Sequence, residues 1–167
     1  MNKVLTLISL GVFLWQLAHN YGKSSQIATQ SFSQWCQNRN SVPEDTQRTI
    51  DILLKQAGTE SCQLADSNLK NLTELNLSNE DIVDLQPLAS LTNLTTINLS
   101  QTQTFLPPGS IVDLQPLAHL TNLTELYLFH NQIVDVQPLA RLTNLNTLGL
   151  GRNKISNITP LDRKSVV

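Results

Sequence analysis

"IVDLQPLASLTNL", residues 82–94, returns as "IVDLQPLAHLTNL" at residues 111–123 and as "IVDVQPLARLTNL" at residues 133–145. The first two copies stand 29 residues apart and the last two 22. Extending each copy to the leucine that opens its unit gives "LTELNLSNEDIVDLQPLASLTN" from Leu72 and "LTTINLSQTQTFLPPGSIVDLQPLAHLTN" from Leu94. Next come "LTELYLFHNQIVDVQPLARLTN" from Leu123 and "LNTLGLGRNKISNITPLDRKSVV" from Leu145. The period is 22 residues, and "TFLPPGS", Thr104–Ser110, lengthens the second unit. Seven extra residues in a surface turn cost little loop entropy.

A fixed period of this length predicts a solenoid. One unit offers few large apolar residues: Leu123, Leu126, Leu128, Ile133, Val136, Leu139 and Leu142 in the third. Burying each contributes about 1.5–3 kcal/mol, whereas ordering every backbone in the unit costs about 1–2 kcal/mol per residue. A lone unit cannot fold. Each copy repeats the phrase because it supplies the wall on which its neighbour packs.

The pattern L-x-x-L-x-L-x-x-N-x-I followed by D-L-x-P-L-x-x-L-T-N resembles the leucine-rich-repeat family. It is similar in particular to the 22-residue bacterial class found in internalins, over about Leu69 to Leu161. The resemblance implies an α/β solenoid, a short right-handed coil with a parallel concave sheet that binds partners, usually proteins. "SQWC" at residues 33–36 and "AGTESC" at residues 57–62 also resemble the leader of secreted leucine-rich-repeat proteins of cyanobacteria.

Within x-L-x-L-x, a strand buries its leucines and shows the alternate residues outward. Across the units one outward column reads Glu74, Thr96, Glu125, Thr147. The next reads Asn76, Asn98, Tyr127, Gly149, and the third Ser78, Ser100, Phe129, Gly151. Tyr127 and Phe129 are large on an otherwise small, polar face, and Gly149 and Gly151 are expected to leave room beside them. Exposed aromatics flanked by space are the usual anchors of a binding site. The alternative is that a loop or the chain's end covers them. Phe105, in the insertion, is expected to reach the concave rim and meet Phe129. The candidate partner-binding set is therefore Glu74, Asn76, Thr96, Asn98, Phe105, Glu125, Tyr127, Phe129 and Thr147.

Other recurring polar residues read as scaffold. Asp84, Asp113 and Asp135 each precede a proline by three residues, where a carboxylate can cap a short helical turn on the convex side. Asn157 takes that place in the last unit. Asn131 and Asn153 are expected to bond backbone in the tight turn after each strand. Glu80 and Thr102 stand there instead in the first two units, whose turns should be less regular. The "NLT" sequons at Asn93 and Asn122 are by-products of the repeat.

Before the repeats, residues 34–68 read as a helical cap. Pro43 suits a first helical turn, Glu44 and Asp45 complement the N-terminal dipole, and Gly58 is placed to end the helix. Thr46, Ile50, Leu53, Leu54 and Ala57 share one face at helical spacing. Residues 21–33 are polar and small, as in a linker. Residues 1–20 place Lys3 before an apolar stretch from Val4 to Ala18, which reads as a secretory signal or, if uncleaved, an N-terminal anchor. That stretch is short for a membrane span, which needs roughly 20 residues. Export makes a Cys36–Cys62 disulfide the favoured state of the two cysteines. Two free buried thiols are the alternative, and no histidine stands near either for a zinc site. Residues 69–167 hold about four repeats.

A formal net charge of −2, with scattered lysines and arginines, offers no field for nucleic acid. His19, His119 and His130 have no helper acid or thiol at catalytic spacing, and no phosphate loop or HExxH occurs. The sequence therefore predicts a non-enzymatic module without metal or cofactor, placed in the periplasm, at the cell surface or outside the cell. A protein ligand on the concave face is expected, with a glycan or cell-wall polymer second. A structural or truncated piece of a longer repeat protein is the rival reading. "ITPLDRKSVV", residues 158–167, is expected to leave Leu148, Leu150 and Ile155 uncovered and to permit self-association through that edge.

Overall fold

The computed structural model describes residues 30–101 and 111–161. Leader residues 1–20, most of the 21–33 stretch and the insertion Thr104–Ser110 lie outside those residues. Among the described residues, three α-helices precede the coil: α1 Phe32–Gln37, α2 Glu44–Ala57 and α3 Cys62–Lys70.

Helix α1 starts inside the stretch read as linker. Ser31 Oγ accepts the Gln34 backbone N–H at 3.3 Å, and Gln34 Oε1 accepts the Ser31 N–H at 2.9 Å. This capping box satisfies two donors that a helix start leaves orphaned. The S-x-x-Q pattern at residues 31–34 was its visible signal. Phe32, one residue past the cap, is fully buried, so the packed unit begins before residue 34. Pro43 sits at the N-cap of α2, one place ahead of the expected first turn. Gly58 ends that helix at φ 69°, a left-handed conformation that only glycine adopts freely.

The expected face of α2 is buried, and Thr49 joins it. Thr46 and Thr49 tolerate burial because their hydroxyls dock the helix onto the first coil. Thr46 donates to Asp84 Oδ2, and Thr49 donates to the Asp84 carbonyl at 2.8 Å. Arg48 adds a partly exposed ion pair to Asp81 at 2.9 Å. The Cys36–Cys62 disulfide is formed, with Cα atoms 5.6 Å apart. It joins α1 to the start of α3 within the cap. Docking onto the coil falls to α2, whose threonines bond Asp84, and to α1, which also packs against the Gln86–Leu88 turn.

Helix α3 continues to Lys70, which takes Leu69 into the cap and starts the coil near Leu72. Four short strands follow: β1 Glu74–Asn76, β2 Thr96–Asn98, β3 Glu125–Tyr127 and β4 Thr147–Gly149. They form one parallel sheet in chain order. Its register pairs Glu74 with Thr96, Glu125 and Thr147 in turn. Opposite the sheet, each coil returns through a 3-10 turn with proline as its second residue, as at Gln86–Leu88 and Gln137–Arg141. Asp84, Asp113, Asp135 and Asn157 each accept the backbone N–H two residues on, at 2.8–2.9 Å. The acidic column caps these turns.

Side-chain ladders tie coil to coil. Asn122 and Asn144 donate to carbonyls of the preceding coil at 2.9 Å, and Asn93 donates to the Lys70 carbonyl at the end of α3 at 2.7 Å, which gives the sequon asparagines a scaffold task. Asn131, buried, donates to the carbonyls of Leu99 and Leu128. Asn153 donates to Leu128 and Leu150. The first turn is more regular than Glu80 suggested. Asn79 adopts φ 61°, matching His130 at 59° and Arg152 at 58° in the same column, because the chain reverses there without needing the Glu80 side chain. Thr102 lies outside the described residues.

The last coil corrects one expectation. Leu148 and Leu150 are buried and Ile155 is partly so, because β4 packs inward against its own coil and Leu161 folds beneath it. Ile158 is the exposed one, at 58%. Its counterparts Leu85, Leu114 and Val136, each covered by a further coil, are 1% exposed.

Candidate binding site on the concave face

Tyr127 closes β3 and Phe129 follows two residues later, so both stand on the outward face while Leu126 and Leu128 fill the core. Their ring centroids lie 6.4 Å apart with planes 21° from parallel. Tyr127 leans back along its strand, and its hydroxyl donates to Glu125 Oε2 at 2.8 Å. That bond, then desolvation, then the charge of Glu125 raise the phenol above its ordinary value.

Phe129 leans sideways over β4. A Cβ added to Gly149 would stand 2.2 Å from its Cε2, and one added to Gly151 would stand 3.1 Å from Cδ1. The room expected beside the rings is therefore taken by Phe129 itself. The two glycines let the ring lie close against the backbone of β4. The Phe129 N–H donates to the buried Ser100 hydroxyl at 3.2 Å, which fixes the root of the side chain.

An open cleft of ≈ 570 Å³ lies along this end of the face, lined by Asn98, Ser100, Gln101, Tyr127, Phe129, His130, Gly151 and Arg152. Of the sequence-derived candidates it gathers Asn98, Tyr127 and Phe129, with Glu125 held beside it through Tyr127. Glu74, Asn76, Thr96 and Thr147 share the face but do not line the cleft. Phe105 lies outside the described residues. Gln101, His130 and Arg152 were missed. They occupy one column, the residue before the turn asparagine, where no scaffold leucine is needed. That freedom from the repeat pattern was the available signal.

Internal bonds orient the polar rim. Asn98 Oδ1 accepts the Ser100 N–H at 3.0 Å, so its amide presents N–H groups to the cleft side. Gln101 Nε2 donates to the Glu80 carbonyl at 2.7 Å, leaving its carbonyl oxygen as the outward group. Arg152 is exposed and makes no ion pair with any described residue. Among the described residues, no group of three or more His, Cys, Asp or Glu could hold a metal ion, and no helix is long and apolar enough to cross a membrane.

Parallel strands in register, capped returns and asparagine ladders define an α/β solenoid of leucine-rich repeats. The family described as leucine rich repeats (2 copies) matches residues 121–163. The chain is similar to an internalin (inlF) from Listeria monocytogenes, with 33% identity and a TM-score of 0.56 over 65% of this chain and 31% of that one. It is also similar to an internalin C2 from the same organism, with 28% identity and a TM-score of 0.49, over 62% of this chain and 55% of that one. This chain thus spans about a third of the first internalin's length and about half of the second's. No curated protein matches it. The coil is thus built as leucine-rich repeats, matched by the family model over residues 121–163, and it is similar to the repeats of an internalin.

Proposed function

We propose that this protein is a non-enzymatic binding module that holds a protein partner on its concave face, in the cell envelope or outside the cell. Leucine-rich-repeat domains typically mediate protein–protein interaction, and the observation that carries the reading here is the aromatic cleft. Three columns of small polar residues suffice to solvate a sheet face, yet this face carries Tyr127 and Phe129, with two glycines that let Phe129 lie against the backbone. The disulfide supports an oxidising compartment.

Size limits the strength of the contact. Four strands about 4.8 Å apart give a face roughly 14 Å across that shows about a dozen side chains, fewer than the ~20–30 residues per side of a standard interface. The module therefore binds weakly alone, or its flanks take part. The test is capture of envelope proteins by the parent chain and by Tyr127→Ser and Phe129→Ser variants with unchanged circular dichroism. Loss of a captured protein in both variants supports the reading. Equal capture by parent and variants overturns it.

A further inference from the structure

We infer that the cleft takes an acidic anchor: a partner segment that sets an apolar side chain on Phe129 and Tyr127 and a neighbouring carboxylate on Arg152 and Asn98. The inference rests on the proposed binding role and names the chemistry of that same site.

Arg152 carries the argument. It occupies a left-handed backbone position, φ 58°, where glycine or asparagine fits at less cost than a long side chain. The first coil has Asn79 at the equivalent place with the same φ. Arginine therefore adds nothing to the turn, and its side chain lines the cleft. Its guanidinium has no acidic partner among the described residues, and Glu125, the carboxylate nearest to the aromatic pair in sequence, is bonded to Tyr127. The Asn98 amide, locked by Ser100, presents donors as well. Donors beside an aromatic floor complement a carboxylate next to an apolar group, and a guanidinium binds a carboxylate through paired N–H donors. A glycan, which needs acceptors and donors alike on its hydroxyls, fits this rim less well.

The experiment is a titration of the full chain, followed by amide NMR, with acetyl-Leu-Asp-amide and with acetyl-Leu-Asn-amide, two probes that differ by one charge. The Asp probe should shift the amides of Phe129, Gly151 and Arg152 at millimolar concentration, and the Asn probe should bind at least about tenfold more weakly. Arg152→Asn should erase that preference while keeping or raising thermal stability, because asparagine suits the left-handed turn. Lys154→Gln, which removes a cation outside the cleft, should leave the preference unchanged. Equal affinity for the two probes, or an unaltered preference in Arg152→Asn, overturns the acidic anchor. If Phe129→Ser still weakens both probes in that case, the concave-face reading survives. Failure of both probes, with an N-acetylglucosamine tetramer shifting the same amides, overturns the peptide anchor in favour of a glycan.

Discussion

Replacing Gly149 by alanine tests how the aromatic cleft is built. The new Cβ would lie 2.2, 2.5 and 3.0 Å from Cε2, Cζ and Cδ2 of Phe129, far inside the normal carbon contact of about 3.5–4.0 Å. Strand β4 cannot retreat without breaking its ladder to β3, so the ring must swing away. Phe129 is half-buried, and full burial of a phenylalanine contributes about 1.5–3 kcal/mol, so losing half of that costs about 1 kcal/mol. In a Phe129→Ser background the clash is absent. Alanine then gains about 0.5–1 kcal/mol over glycine within a strand. The substitution should therefore change sign between backgrounds, with a coupling of about 1.5–2 kcal/mol in a double-mutant cycle. Urea unfolding of the four oxidised proteins measures it. Gly151→Ala, with contacts of 3.1 and 3.3 Å, should show the same pattern more weakly. An identical Gly149→Ala effect in both backgrounds, or a stabilised single variant, would refute the placement of the ring.

The acidic column should not behave uniformly: Asp135→Ala loses a turn cap, costing about 1 kcal/mol, whereas Asp84→Ala also strands the buried Thr46 hydroxyl and should cost about 1–3 kcal/mol more. Equal Tm losses for the two variants would discard the docking role of Asp84. Reducing the disulfide opens a loop with a sequence separation of 26, worth about 3.5 kcal/mol in the chain-entropy model, and urea midpoints with and without reductant measure it. Tyr127 should ionise at higher pH than an ordinary tyrosine, and Glu125→Ala should bring it back, as read by ultraviolet titration. Because the folded value is the raised one, its contribution is whole below the unfolded tyrosine pKa and is lost as pH climbs through the folded value. Self-association through the last coil should depend on Ile158, so concentration-dependent sedimentation of the parent should diminish in Ile158→Ser; a strictly monomeric parent removes that expectation.

Periodicity determined much of this protein before any coordinate. In a solenoid each residue meets the residues one period away, so the leucine columns, the pairing of Glu74 with Thr96, Glu125 and Thr147, and the capping by Asp84, Asp113 and Asp135 follow from alignment alone. With two cysteines, the disulfide had one intramolecular pairing to adopt. Tertiary structure decided whatever the repeat leaves free. The side chain of Phe129 could point along its strand or across to the next, and only packing showed it lying over Gly149 and Gly151. Gln101, His130 and Arg152 share a column, so the period sets them side by side, but only the fold showed that they line one cleft with Asn98, Tyr127 and Phe129. The docking of Thr46 and Thr49 on Asp84 joins a non-repeating helix to the coil, a contact no period encodes. At the last coil a core-column residue became exposed at Ile158 while Leu148 and Leu150 stayed buried, because burial there depends on which side of the coil a neighbour covers, and sequence spacing does not specify that side.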